Sequence, residues 1–284
     1  MWALIILVAM ASADFAVIGD WGRGGTETQM QMADTMKNMD LQFVISTGDN
    51  FYPEGIDSVT DSRVHDWVRI YNSKVPWFLC LGNHDYYGNT QAQLDLHDVY
   101  MNWNMPGRYY NKRIGDIELF FIDTTPWLDY NPVHEEKHRE WQWLYEQREK
   151  IPEQQEWLVT ALQTSTAPRK ILVGHHPLWT FGEHTHERNG AMRIRLTEMM
   201  IRFDVESYLC GHDHNLQYVT SDGVHEFVSG AGAWFYDWDW YLGRRTMDTA
   251  ELMFGSSTNG FLVVSGTNYT FLSAAGEQLF TKIL

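Results

Sequence analysis

Five short apolar runs in the sequence each end in a glycine followed at once by a residue able to ligate a metal: Gly19-Asp20, Gly48-Asp49, Gly82-Asn83, Gly174-His175 and Gly211-His212. Tyr52 stands three residues past Asp49, and His214 two past His212. Taken singly, an Asp after a strand is an ordinary turn former or helix cap. Taken together, Asp20, Asp49, Tyr52, Asn83, His175, His212 and His214 offer carboxylate, phenolate, amide and imidazole donors and no thiolate. Such a set disfavours structural zinc and suits a hard trivalent ion beside a borderline divalent one.

For these side chains to meet, the runs must be strands that finish on one side of a sheet. Residues 15–19, 42–47, 77–81, 170–174 and 206–211 are short, apolar and closed by glycine-containing turns, as core strands are. In open α/β sheets ligands bind beyond the carboxyl ends of the strands, so ligands far apart in sequence converge on one crevice. The glycine before each ligand lets the chain turn sharply. Between the runs lie helical patterns: Val64, Trp67, Val68 and Tyr71 fall at i, i+3, i+4 and i+7 and predict one buried face. Met30, Met36 and Met39 keep a similar spacing and read as core filling. Strand-helix alternation predicts βαβ crossovers and largely parallel pairing. After His214 the pattern changes to runs at 216–220, 224–229, 261–265, 269–273 and 278–283, with an Asp222-Gly223 turn, which predict antiparallel hairpins. Residues 134–163 predict a long surface helix interrupted near Pro152. The expected fold class is α/β, a pair of mixed β-sheets covered by helices.

The 284 residues carry no repeat, low-complexity tract or Pro/Gly-rich linker, so residues 14–284 read as a single catalytic domain. The 2 cysteines, Cys80 and Cys210, lie inside apolar runs and read as buried free thiols, which excludes a disulfide-dense scaffold. With 21 Lys+Arg against 37 Asp+Glu the net charge is −16, which opposes nucleic acid and anionic membrane as partners. Histidines outside a metal site would gain charge below about pH 6 and offset part of that, which suits an acidic compartment. Residues 1–13, apolar and ending in Ala11-Ser12-Ala13, read as a signal peptide, too short to span a bilayer. The sequon Asn268-Tyr269-Thr270 fits the same secretory route. No later segment reads as a membrane span.

The segments GDWG (19–22), GDNFY (48–52), GNHD (82–85), GHHP (174–177) and GHDHN (211–215) resemble the five blocks of the metallophosphoesterases. Tyr52, three residues past Asp49, narrows the resemblance to purple acid phosphatases, in particular the small animal-type, tartrate-resistant form. The resemblance implies a four-layer α/β/β/α sandwich. It implies Fe3+ held by Asp20, Tyr52 and His214, and Fe2+, Zn2+ or Mn2+ held by Asn83, His175 and His212, with Asp49 bridging the two. His176 falls in a variable neighbouring place. Two close cations repel unless they share an anion, and a bridging water between them loses its proton readily, so hydroxide becomes available at acidic pH.

The implied activity is acid phosphatase: hydrolysis of phosphate monoesters by in-line attack of metal-activated hydroxide, with broad leaving-group tolerance. Such a reaction also needs a proton for the leaving oxygen. His84, beside Asn83, and His184, which matches the family's second substrate histidine, are the candidates. Asp85 and Glu183 are the carboxylates expected to orient them. His65, His97, His134, His138, His186 and His225 read as surface or capping residues. The expected substrates are small phosphate monoesters or phosphoproteins, and the expected protein is a secreted or lysosome/vacuole-like monomer. A phosphodiesterase or nucleotide pyrophosphatase using the same site is the alternative enzyme, and a non-catalytic phosphoprotein-binding module is the alternative of another class. The aromatic run from Trp234 to Tyr241, with Arg244-Arg245 behind it, reads as a lid or a proteolytic control loop.

Overall fold

The structure is a computed structural model that describes residues 14–71, 75–128, 141–184, 189–235, 246–247 and 249–284. The chain opens with β1 (Phe15–Ile18), α1 (Glu27–Lys37), β2 (Phe43–Ser46), α2 (Ser62–Tyr71), β3 (Trp77–Leu79), α3 (Thr90–Val99) and β4 (Trp103–Asn104). It continues with β5 (Tyr110–Ile114), β6 (Ile117–Phe121), α4 (Trp141–Glu149), α5 (Ile151–Thr164), β7 (Arg169–Val173), α6 (Gly190–Phe203) and β8 (Ser207–Cys210). The last part is a succession of strands: β9 (Leu216–Ser221), β10 (Val224–Ser229), β11 (Thr246–Met247), β12 (Ala250–Ser256), β13 (Gly260–Ser265), β14 (Asn268–Ser273) and β15 (Gln278–Ile283).

Two mixed sheets result, in the orders β15-β14-β13-β1-β2-β3-β4 and β11-β12-β9-β10-β8-β7-β6-β5. The strands β1, β2, β3 and β4 pair in parallel, as do β6, β7, β8 and β10. Their crossovers pack helices against the sheets, as βαβ units require. The late strands add antiparallel edges, and the Asp222-Gly223 turn between β9 and β10 takes positive φ at both residues, the mirror-image turn that hairpins favour.

Alternation along β1 shows how the layers are built. Phe15 and Val17 face Leu119, Phe121 and Phe227 in a core between the two sheets. Ala16 and Ile18 face the other way, onto Met32, Met36, Val64 and Trp67 of α1 and α2. A third core places Leu158, Leu196 and Met200 of α5 and α6 against Phe120, Leu172 and Val228 of the second sheet. The architecture is therefore the four-layer α/β/β/α sandwich, with β1, β2 and β8 buried along their whole length.

Two helical readings need correction. In α2 the buried residues are Val64, Trp67, Ile70 and Tyr71, while Val68 is exposed. In α1 the buried methionines are Met32 and Met36, and Met30 points to solvent at 46% exposure. In each case the apolar stripe is offset from the assumed one, because neighbouring apolar side chains satisfy the same spacing. The helix expected over 134–163 with an interruption near Pro152 is seen from residue 141 as α4 and α5, parted at Lys150 with Pro152 in the first turn of α5, where a missing N–H goes unmissed. Cys80 and Cys210 are free and buried. No described helix is long and apolar enough to cross a membrane. Residues 1–13, the segment 236–245 and His134, His138 and His186 lie outside the described residues.

Candidate metal centre

Asp20, Asp49 and Asn83 follow β1, β2 and β3 in the first sheet, and His175, His212 and His214 follow β7 and β8 in the second. Parallel pairing puts these strand ends on one side, and the structure brings all seven donor residues together. Tyr52 Oη lies 2.9 Å from Asp20 Oδ1, 2.7 Å from Asp49 Oδ2 and 3.0 Å from His214 Nε2. His175 Nε2 lies 3.0 Å from Asn83 Oδ1, 3.5 Å from Asp49 Oδ1 and 3.2 Å from His212 Nδ1. The two oxygens of Asp49 thus face two separate clusters.

The backbone is shaped for this convergence. Asp20, Asp49 and His212 have φ of 60°, 53° and 68°, a left-handed region that side-chain-bearing residues enter rarely and that collects at functional sites. Gly82 and Gly211 serve a different purpose from the sharp turning expected of them. A Cβ at Gly82 would collide with Asp49, and one at Gly211 with the Asp20 carboxylate, so the missing side chain makes room for the donors.

The hydrogen-bonding capacities fit a pair of cations. Tyr52 has one proton, yet its oxygen meets three groups that are acceptors when Asp20 and Asp49 are ionised and His214 Nε2 is bare. Burial, then Asp20 and Asp49, push the Tyr52 hydroxyl well above its usual 10, so without a cation it stays a neutral phenol. Burial would raise Asp49, but His175, His84 and the Tyr52 hydroxyl hold it at about 2. His175 Nδ1 lies 2.8 Å from the Thr47 carbonyl and so carries a proton that it donates there, which leaves Nε2 as the ligand atom facing Asn83 and Asp49. Burial lowers His175, but Asp49 and then Asp20 lift it above its usual value: without a metal, a proton takes the cation's place. Burial and the neighbouring His184 and His175 push His212 well below its usual value, the state in which imidazole ligates.

His176 is also buried, and with His175 and His212 it forms a group whose ligand atoms lie within 4.8 Å of one another. Thr124 removes it from the ligand set. Its hydroxyl oxygen accepts from the backbone N–H of His175 at 3.3 Å and of His176 at 3.1 Å, so its proton goes to His176 Nδ1 at 2.8 Å. The neutral ring then carries its hydrogen on Nε2 and has no lone pair left for a metal.

The two candidate proton donors sit at the rim of the clusters, each held through Nδ1. His84 gives its backbone N–H to Asp49 Oδ1 at 2.8 Å, while its Nδ1 lies 2.6 Å from the Pro53 carbonyl and its ring 4.4 Å from that of Tyr52. The His184 ring lies 4.0 Å from that of His212, tilted by 36°, with Nδ1 3.0 Å from Asp213 Oδ1. The orienting groups are therefore Pro53 and Asp213, not Asp85 and Glu183. Asp85 is buried and turned inward, accepting from the backbone N–H groups of Asn50, Phe51 and Gly82 and from Gln93, and thereby joins the loops that carry Asp49 and Asn83. Glu183 is exposed. Burial would raise Asp213, but His184 and Thr180 hold its carboxyl below the usual range. Asp213 was legible in principle, since it lies between His212 and His214; Thr124 had no such signal. Glu226 pins the loop after His175 by accepting from the backbone N–H of Leu178 at 2.6 Å and of Trp179 at 3.0 Å.

A four-layer sandwich whose strand ends present two donor clusters around one aspartate defines a metallophosphoesterase. The calcineurin-like phosphoesterase model matches residues 13–216, and the chain belongs to that family. Within it the relatives are purple acid phosphatases. The chain is 30% identical over 303 residues to tartrate-resistant acid phosphatase type 5 of Sus scrofa, covering 95% of this chain and 86% of the relative. It is 35% identical over 234 residues to purple acid phosphatase 3 of Arabidopsis thaliana, covering 78% of this chain and 63% of that protein's own length. Among solved structures, GAP50, described as the anchor in the inner membrane complex of Plasmodium, superposes with a TM-score of 0.73 at 24% identity, covering 96% of this chain and 89% of that one. That last likeness concerns the fold.

Proposed function

We propose that this chain is a purple-type acid phosphatase that hydrolyses phosphate monoesters. The observation that carries the reading is the division of the Asp49 carboxylate between two donor clusters, Oδ2 toward Tyr52 and Oδ1 toward His175. Asp20, Tyr52 and His214 would hold Fe3+, and Asn83, His175 and His212 would hold Fe2+, Zn2+ or Mn2+, because the first cluster supplies hard anionic oxygens and the second is neutral apart from Asp49. When bound, such a pair supplies the positive charge that polarises the phosphoryl oxygens and lowers the pKa of water into the acidic range.

The remaining work falls to the protein. The left-handed strand ends fix the donors before substrate arrives, which lowers the reorganisation needed during the reaction. His84 donates Nδ1–H to Pro53 and His184 donates Nδ1–H to Asp213, so each presents Nε2 to the mouth of the site. When it carries a proton, either Nε2 can hydrogen-bond a phosphoryl oxygen or protonate the departing alkoxide. The Asp213 carboxylate stabilises the imidazolium form of His184, as a buried carboxylate does for a catalytic histidine.

Entry into the secretory pathway through residues 1–13 and work in a secreted or lysosome/vacuole-like acidic space agree with this chemistry. Asn268 opens β14 in an exposed position, as a glycosylation acceptor must. Turnover of p-nitrophenyl phosphate against bis(p-nitrophenyl) phosphate tests the substrate class. The monoester should be preferred at acidic pH, and a preference for the diester would replace the reading with the phosphodiesterase alternative.

A further inference from the structure

The GDWG block runs on into Arg23, three residues past Asp20, and the guanidinium of Arg23 lies over the Tyr52 ring, 4.1 Å from its centroid. The Trp234 ring lies 5.9 Å from the same carbon. Tyr52 is buried and Trp234 is 53% exposed, so Arg23 lies between a buried ring of the site and an exposed one. The side chain of Arg23 makes no hydrogen bond or ion pair with any described residue, and its Nε is buried without an acceptor. The other guanidiniums nearest in sequence are committed: Arg63 to Asp61, Arg69 to Asp66 and Arg108 to Asp123.

A guanidinium that meets aromatic rings with its flat faces keeps its N–H edge for planar, bidentate anions. A buried donor with no protein partner calls for a ligand or water. The scissile phosphoryl group belongs to the two donor clusters, whereas Arg23 lies against the ring of Tyr52, a member of one of them. In a chain of net charge −16, a cation with no acidic partner among the described residues selects among anionic leaving groups by local contact, since the protein's overall field repels them.

Resting on the phosphatase reading above, we propose that Arg23 is a specificity-determining residue that receives the second phosphoryl group of phosphoanhydride substrates. Water adds to the phosphorus held at the donor clusters and gives up one proton, the P–O bond to the bridging oxygen breaks, and that oxygen leaves with the electron pair on the second phosphoryl group, which takes up the proton. Arg23 neutralises the charge that develops there, and Trp234 covers the outer face of the guanidinium.

The test compares holoenzyme and Arg23→Gln with pyrophosphate and with phenyl phosphate, together with calorimetric binding of imidodiphosphate, whose P–N–P bridge resists hydrolysis. A charge-assisted bidentate contact predicts that Arg23→Gln lowers kcat/KM for pyrophosphate about ten- to hundredfold more than for phenyl phosphate. Imidodiphosphate binding should weaken by a similar factor, with metal content unchanged. Equal losses on both substrates, unaltered imidodiphosphate affinity, or loss of metal in the variant would each overturn the assignment. If the wild-type holoenzyme turned over neither ester nor anhydride, the phosphatase reading would fail, and imidodiphosphate binding would still decide the role of Arg23.

Discussion

His184 is held by Asp213, Nδ1 to Oδ1 at 3.0 Å, and not by its chain neighbour Glu183. Asp213 sits between His212 and His214, accepts also from Thr180 and Gln217, and leaves no space for a side chain at Gly182. One buried carboxylate thus joins a donor cluster to the histidine at its rim. Asp213→Asn keeps the shape and removes the charge that favours the imidazolium. It should lower kcat about 10- to 100-fold and shift the alkaline limb of the kcat profile, where the required imidazolium is lost, toward lower pH, with metal content at the wild-type level. A profile identical in shape to wild type would remove Asp213 from the mechanism.

His84→Ala should lower kcat about 100-fold or more, the usual contribution of a positioned acid. The His84 ring touches no donor except Tyr52, and only its backbone N–H meets Asp49, so both metals should remain bound. Full activity in a metal-replete variant would show that His184 alone serves the leaving group.

The gathering of the seven residues was legible because five of them follow a glycine-closed strand end and Tyr52 and His214 stand within three residues of one of those five, a signal that survives wide separation in sequence. The sheet pair was legible too, from alternation early in the chain and hairpin spacing late. What escaped was set by side-chain packing across elements. Pro53 and Asp213 displaced Asp85 and Glu183 because a ring Nδ1 finds its acceptor in space, and adjacency in the chain says little about where that ring points. Val68 and Met30 were misplaced because Ile70 and Met32 fill the same helical spacing and only the sheet beneath decides which face is buried. Thr124 and Arg23 carry no motif at all, and their contacts exist only once the second sheet and the Tyr52 loop are in place.

Burial raises Glu226 to about 8. Its folded pKa exceeds its ordinary value near 4.5, so the folded protein binds more protons than the unfolded chain between those limits. The associated stability is complete below about pH 4.5 and is lost as pH rises through about 8, at up to roughly 1.4 kcal/mol per pH unit. Glu226→Gln, which cannot ionise, should therefore gain stability relative to wild type as pH is raised from 5 to 8 in urea unfolding. An offset between the two proteins that stays constant with pH would contradict this.

The visible spectrum of the purified, oxidised protein, read beside its measured metal content, bears most directly on a Tyr52 phenolate sharing a dinuclear centre with Asp49. Ferric iron bound to tyrosinate absorbs in the visible, and zinc, manganese or magnesium does not. The arrangement of Tyr52 between Asp20, Asp49 and His214 predicts a purple protein that loses its band in Tyr52→Phe. A colourless protein containing its full complement of iron, or a band that persists in Tyr52→Phe, would contradict it.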